Sequence, residues 1–343
     1  MVRALKVVVA VVVLWGVGRH VWRTWNEMGG WDTALRVEPW YLVLSGLVYL
    51  AGLSFCGLFY HAVLRSSPTP IGEFAAVRAY LISHLGKYVP GKAMVVVMRA
   101  GMSRPHGARA ATATVATFYE TLVMMASGAL VAAAGFAISD DPPIELGGDP
   151  PILTFILPVL GWVTLRVFAL FSLTGLGVGL GFLVLVAPPV FRILAAKASL
   201  PIPGVGPDAL PWFSTRLLTL GLIQTAAAWL MMGLSQMAVV WGVATAAGLD
   251  FLALLPIVVA AVAFATVAGF VVALTPGGLG VREAVLMYAL GPALGNDLAV
   301  VAALMLRLVW VAAEIFAALV LGPWGRPMVS SPTPDEGLES ADD

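Results

Sequence analysis

The stretch His84-Leu-Gly-Lys-Tyr-Val-Pro-Gly-Lys92 sets two lysines and a tyrosine around a Pro-Gly break, inside a sequence that is otherwise largely hydrocarbon. A counterpart lies near the other end, Leu274-Thr-Pro-Gly-Gly-Leu-Gly-Val-Arg-Glu283, where a Pro-Gly break is again followed at once by charge. Such breaks are costly in lipid, because the freed backbone N–H and C=O groups need protein or a wet cavity to satisfy them. Two of them imply a site, and the chemistry on offer is anion binding. A helix that starts after Pro90-Gly91, or after Pro276-Gly277-Gly278-Leu-Gly280, presents unpaired N–H groups and the positive end of its dipole. Such termini take phosphates, and successive glycines let the backbone fold into an anion nest. Lys87, Lys92, Arg99, Arg282 and Arg307 add charge-assisted donors for a phosphodiester, with arginine suited to a bidentate grip.

Three further charges, Glu120, Arg307 and Glu314, sit well inside apolar runs, where one charge at mid-bilayer costs roughly 3 kcal/mol. They are expected to face the interior and pair. Glu120 can pair with Arg307 or with Arg99, as a structural ion pair or as a proton-coupled gate. Glu283 falls in a helix's first turn, where an acid also simply stabilises the dipole. His61 and His84 titrate near neutrality if exposed, yet each serves equally as a packed, hydrogen-bonded side chain. Gly86-Lys-Tyr-Val-Pro-Gly-Lys-Ala93 nearly spells the phosphate-binding loop of nucleotide hydrolases, but Ala93 replaces the magnesium-binding hydroxyl and no strand precedes it. ATP hydrolysis is not expected. Cys56 is the only cysteine, so no disulfide or cysteine metal site forms within one chain. With no H-E-x-x-H and no G-x-S-x-G, the reading is of a non-enzyme without catalytic residues, metal or cofactor.

The elements that position these residues follow from composition. Hydrophobic residues make up 60% of the chain and charged residues 11%, with a mean hydropathy of +0.95, which marks a polytopic membrane protein. The reading is all-α, with about eight transmembrane helices over 5–22, 40–64, 110–138, 152–171, 175–191, 217–246, 252–274 and 298–321. The broken segments, 74–99 and 275–290, read as re-entrant pieces. One domain covers 1–325, and 326–343 is an acidic tail expected to be disordered. From Arg65 to Arg109 inclusive there are seven Lys or Arg and one acid, which assigns that segment to the cytoplasm. Asp140 to Pro151 has four acids and no base, as an external loop does. Dividing 151–191 near Ser172-Leu-Thr-Gly175 makes Arg192–Arg216 external, with a short amphipathic piece at 191–198. Both termini are then cytoplasmic, and the two breaks open from opposite faces, as in an inverted-repeat transporter. If 151–191 is one tilted helix, both breaks face the cytoplasm and that argument fails. No nucleic-acid partner is expected; the partner is an anionic lipid of the cell membrane.

Tyr80, Ser83, Lys87-Tyr88-Val-Pro90-Gly91 with Arg99, then Glu120, then Pro276-Gly277-Gly278-Leu-Gly280-Val-Arg282-Glu283, then Arg307, resemble the lysylphosphatidylglycerol synthase transmembrane-region family, also called flippase-like or UPF0104 proteins. The resemblance runs from about residue 5 to 322. It implies an integral membrane protein associated with moving lipids such as aminoacyl-phosphatidylglycerol or polyprenyl-phosphate carriers across the bilayer. The synthases carry a cytoplasmic aminoacyl-transfer domain after the membrane region, whereas this sequence ends at Asp343, so synthesis of lysylphosphatidylglycerol is not expected of it. The alternative is an accessory subunit that positions a partner glycosyltransferase or synthase. The small-residue run Gly175-Leu-Gly-Val-Gly-Leu-Gly181 suits close helix packing within the chain or against such a partner.

Overall fold

The computed structural model describes residues 37–69, 71–88, 93–139, 167–199, 211–243, 249–272, 278 and 280–323. Among them are ten α-helices and no strand. In chain order they are α1 (Pro39–Arg65), α2 (Glu73–Ser83), α3 (Ala93–Ser103), α4 (Ala110–Ala137), α5 (Val167–Val186), α6 (Pro188–Ser199), α7 (Thr215–Val243), α8 (Phe251–Val272), α9 (Val281–Leu294) and α10 (Asn296–Leu321). A short 3-10 turn, His84–Tyr88, caps α2. Six of these helices, namely α1, α4, α5, α7, α8 and α10, are long and apolar enough to cross a membrane. The expected span 5–22, most of 152–171 and the tail 326–343 lie outside the described residues.

Lipid tails give apolar helices no hydrophobic reason to associate, so close van der Waals contact must hold them together, and small residues permit it. Helix α1 runs antiparallel to α7: the Glu38 amide donates to the Gly242 carbonyl (2.8 Å) at one end, and Trp212 N–H to Ser66 O (3.0 Å) at the other. Between those ends Gly52 lies on Ala228 and Gly221 lies under the Phe59 ring. Helix α4 is the buried centre. Trp229 of α7 donates its indole N–H to Met124 O (3.0 Å) and fills the space left by Gly128. On another side Gly135 meets Ala260 and the Pro256 carbonyl of α8.

Helix α5 corrects the division expected at Ser172–Gly175, since the helix passes straight through those residues. Gly175 sits against the Ala129 carbonyl, and Ser172 donates to Ala133 O (2.8 Å), so residues that lower helix propensity are held by packing on α4. A second correction follows. Helix α5 starts beside the end of α4, runs back antiparallel to it, and delivers α6 and Trp212 to the Arg65 end of the bundle. The described ends of the connection expected outside, at Arg192 and at Trp212, therefore lie at the same end as Arg65.

The broken segments form two hairpins. The first descends from the Arg65 end along α1, as its contacts trace: Ile71 O with His61, Val77 with Gly57, then Lys87 with Tyr49. It returns as α3, where Ser103 meets the Tyr60 hydroxyl (3.1 Å). The second is α8 and α9, whose legs approach at Gly269 and Gly278. Gly278 has φ +70°, and a Cβ there would meet the Gly269 backbone at 3.1 Å, so only glycine closes this turn without strain. Helix α9 starts at Val281 and continues to Leu294, past the expected end at 290, before α10 leaves from Asn296. Because α9 returns toward the start of α10, the second hairpin opens from the Pro39 end. The hairpins thus enter from opposite ends of the bundle; residues 151–166, on which the choice between one span and two for 151–191 turns, lie outside the described residues.

Candidate functional site

The site is assembled between the two hairpins, where Lys87 of the first and Gly278 and Arg282 of the second line one cavity. Pro90, Gly91, Lys92, Pro276 and Gly277 lie outside the described residues; the other expected site residues divide into a lock and a junction. The lock is Arg99 with Glu120. Arg99 Nη1 lies 2.9 Å from Glu120 Oε2, and the two side chains are 2% and 1% exposed. Tyr80 donates its hydroxyl to Glu120 Oε1 (2.9 Å), Thr121 reaches Oε2 (3.3 Å), and Arg99 Nε donates to Ser83 Oγ (3.0 Å). The guanidinium also stacks over the Tyr80 ring at 4.0 Å. Arg99, not Arg307, is therefore the partner of Glu120, and the pair fastens the first hairpin to α4.

At the junction Lys87 Nζ meets Glu314 Oε1 of α10 at 2.5 Å, and Tyr49 of α1 donates its hydroxyl to the same oxygen. Arg307 pairs with Glu283 (3.0 Å), whose other oxygen accepts the Gly280 N–H (2.7 Å) at the start of α9. One of the free amides expected there is thus already taken by the helix's own acid. Arg307 also lies 5.4 Å from the centre of the Tyr88 ring, which brings the tip of the first hairpin against α10. Arg282 differs from all of these. It is 7% exposed, lies flat over Trp310 at 4.0 Å, and no carboxylate of the described residues lies within ion-pair distance of it. Its Nη2 is buried without a hydrogen-bond partner. Trp310 is fixed in turn by a bond to Ser235 Oγ (3.0 Å), which meets Ser45 Oγ (2.8 Å), and by stacking on Tyr49 at 4.0 Å.

A cavity of about 330 Å³ connects the lock and the junction, with Lys87, Arg99 and Arg282 on its walls. Its remaining lining is mostly apolar and includes Phe118, Leu122 and Phe270. Phe118 is 54% exposed on the outside of the bundle, so this wall abuts the surroundings of the helices.

Tyr49, Trp310 and Glu314 were not among the site residues expected from sequence. The signal for Tyr49 and Trp310 is position: both stand mid-run in apolar helices, away from the interfacial belts where polar-tipped aromatics usually collect. Glu314 carried the stronger signal of an intramembrane charge.

An all-helical bundle with six helices fit to cross a membrane, and with its charged pairs turned inward, defines a multi-pass membrane protein. The chain belongs to the lysylphosphatidylglycerol synthase TM region family, which matches residues 3–317. No curated protein matches it.

Proposed function

We propose that the protein moves a lipid with an anionic headgroup across the cytoplasmic membrane, without hydrolysing ATP and without being an enzyme. In this reading the two hairpins are re-entrant, the Arg65 end and the C-terminal end of α10 face the cytoplasm, and the cavity between lock and junction holds the headgroup. The observation that carries it is Arg282. A guanidinium that is buried, set over an aromatic ring and, among the described residues, without a carboxylate at ion-pair distance is expensive in a protein interior, and such a group is retained where a ligand completes it. A phosphate completes it best, because the planar fork of arginine matches two phosphate oxygens. The apolar wall toward Phe118 suits the hydrocarbon part of the same molecule. Lys87 offers a second cation from the opposite hairpin, so a bound headgroup would touch both inverted units at once, as alternating access requires. The lipid classes in view are aminoacyl-phosphatidylglycerol, whose phosphate is a diester, and polyprenyl-phosphate carriers, whose phosphate is a monoester; the charge balance at the junction favours the diester.

The test is reconstitution of the purified chain alone in proteoliposomes with labelled phosphatidylglycerol, aminoacyl-phosphatidylglycerol or undecaprenyl phosphate. Movement of one class, abolished by Lys87→Ala and by Arg282→Ala in protein that still inserts, is the expected result. No movement of any of them from folded, inserted protein would replace this reading with that of an accessory subunit for a glycosyltransferase or synthase.

A further inference from the structure

We infer that Glu314 determines charge specificity: standing behind Lys87 as a built-in counter-anion, it tunes the junction to a headgroup bearing one negative charge. This rests on the transporter reading above. Three buried carboxylates hold the hairpins, and they are not equally satisfied. Glu120 uses both oxygens, one for Tyr80 and the other for Arg99 and Thr121. Glu283 also uses both, for Gly280 N–H and Arg307. Glu314, fully buried, takes Lys87 and Tyr49 on the single oxygen Oε1, while Oε2 is buried with no hydrogen-bond partner. A carboxylate placed only for stability would have its second oxygen paired, because an unmet buried acceptor carries the full desolvation penalty. Glu120 and Glu283, with both oxygens paired, are the contrast to it.

Charge counting gives Glu314 its role. Among the described residues Glu283 and Glu314 offset two of the three cations Lys87, Arg307 and Arg282, and Glu314 is the one whose charge is not fully taken up by hydrogen bonds. Removing the charge of Glu314 makes the junction one unit more positive. That favours a phosphomonoester, whose second proton is lost near pH ~6, over a phosphodiester. A unit charge at a few ångströms in a partly screened interior shifts relative binding by about tenfold or more.

The experiment measures binding of phosphatidic acid, a monoester, and phosphatidylglycerol, a diester, by native mass spectrometry of wild type, Glu314→Gln, Lys87→Met and Arg282→Ala. Glu314→Gln keeps an acceptor for Tyr49 and should raise phosphatidic acid over phosphatidylglycerol by about tenfold. Lys87→Met should move that ratio the other way. An unchanged ratio in Glu314→Gln, with or without equal weakening of both lipids, marks a structural residue and overturns the inference alone. If Glu314→Gln does not fold, an unchanged ratio in Lys87→Met overturns it equally. Wild type that binds neither lipid above the Arg282→Ala background overturns the transporter reading and this inference together.

Discussion

Replacing Arg99 with methionine removes one half of the lock and leaves the other half stranded. Glu120 is 1% exposed, and α4 around it is packed by Trp229, so water cannot readily reach the carboxylate. Breaking a buried pair from one side costs about 3–5 kcal/mol. The bond to Ser83 and the stacking on Tyr80 add about 1 kcal/mol, while the Tyr80 and Thr121 hydroxyls remain as donors and hold the total near the middle of that range. At roughly 2 °C per kcal/mol for a chain of this size, the unfolding midpoint should fall by roughly 8 °C. The assay is tryptophan fluorescence during heating in detergent, run as a cycle with Glu120→Leu and the double variant. Replacing both partners by apolar side chains of similar shape is close to neutral, so Arg99→Met/Glu120→Leu should recover most of the loss. A single variant within about 1 °C of wild type, or a double variant as poor as the sum of the singles, would refute the assignment of Arg99–Glu120 as the lock.

The glycine run of α5 offers an internal control: Gly175→Ala should destabilise, because its Cβ would stand 2.9 Å from the Ala129 carbonyl, whereas Gly177→Ala, with nothing within 4 Å, should be neutral in the same melt. Gly278→Ala combines a positive φ with contact on Gly269, and should lower stability by roughly 1–2 kcal/mol. Arg78 donates to the Leu321 (2.8 Å) and Gly322 (3.0 Å) carbonyls that end α10, so Arg78→Met should raise hydrogen exchange in the last turn of α10 while leaving α4 protected.

What the sequence could and could not say divides by distance along the chain. The runs that became α1, α4, α7 and α10 are long, apolar and bounded by charge or proline, which is a local signal. The pairing of charges is not local. Arg99 reaches Glu120 only because α3 turns back along α4, and Lys87 finds Glu314 only because the first hairpin descends along α1 until its end meets α10. At α5 the small-residue run gave two local signals, a break at Ser172–Gly175 and close packing, and only the packing is realised: Gly175 lies inside the helix against the Ala129 carbonyl. Arg282 was legible as a cation beside a break. That no described carboxylate pairs with it was not, since that depends on Glu283 turning to Arg307 and Glu314 to Lys87.

If Arg282 grips the headgroup, the initial rate of anionic lipid movement in proteoliposomes depends on its guanidinium, measured for wild type, Arg282→Lys, Arg282→Ala and the Gly177→Ala control. Gly177→Ala should be fully active, Arg282→Lys, which keeps the charge but not the fork, partly active, and Arg282→Ala inactive. Movement by Arg282→Ala at the wild-type rate would show that the headgroup is held elsewhere.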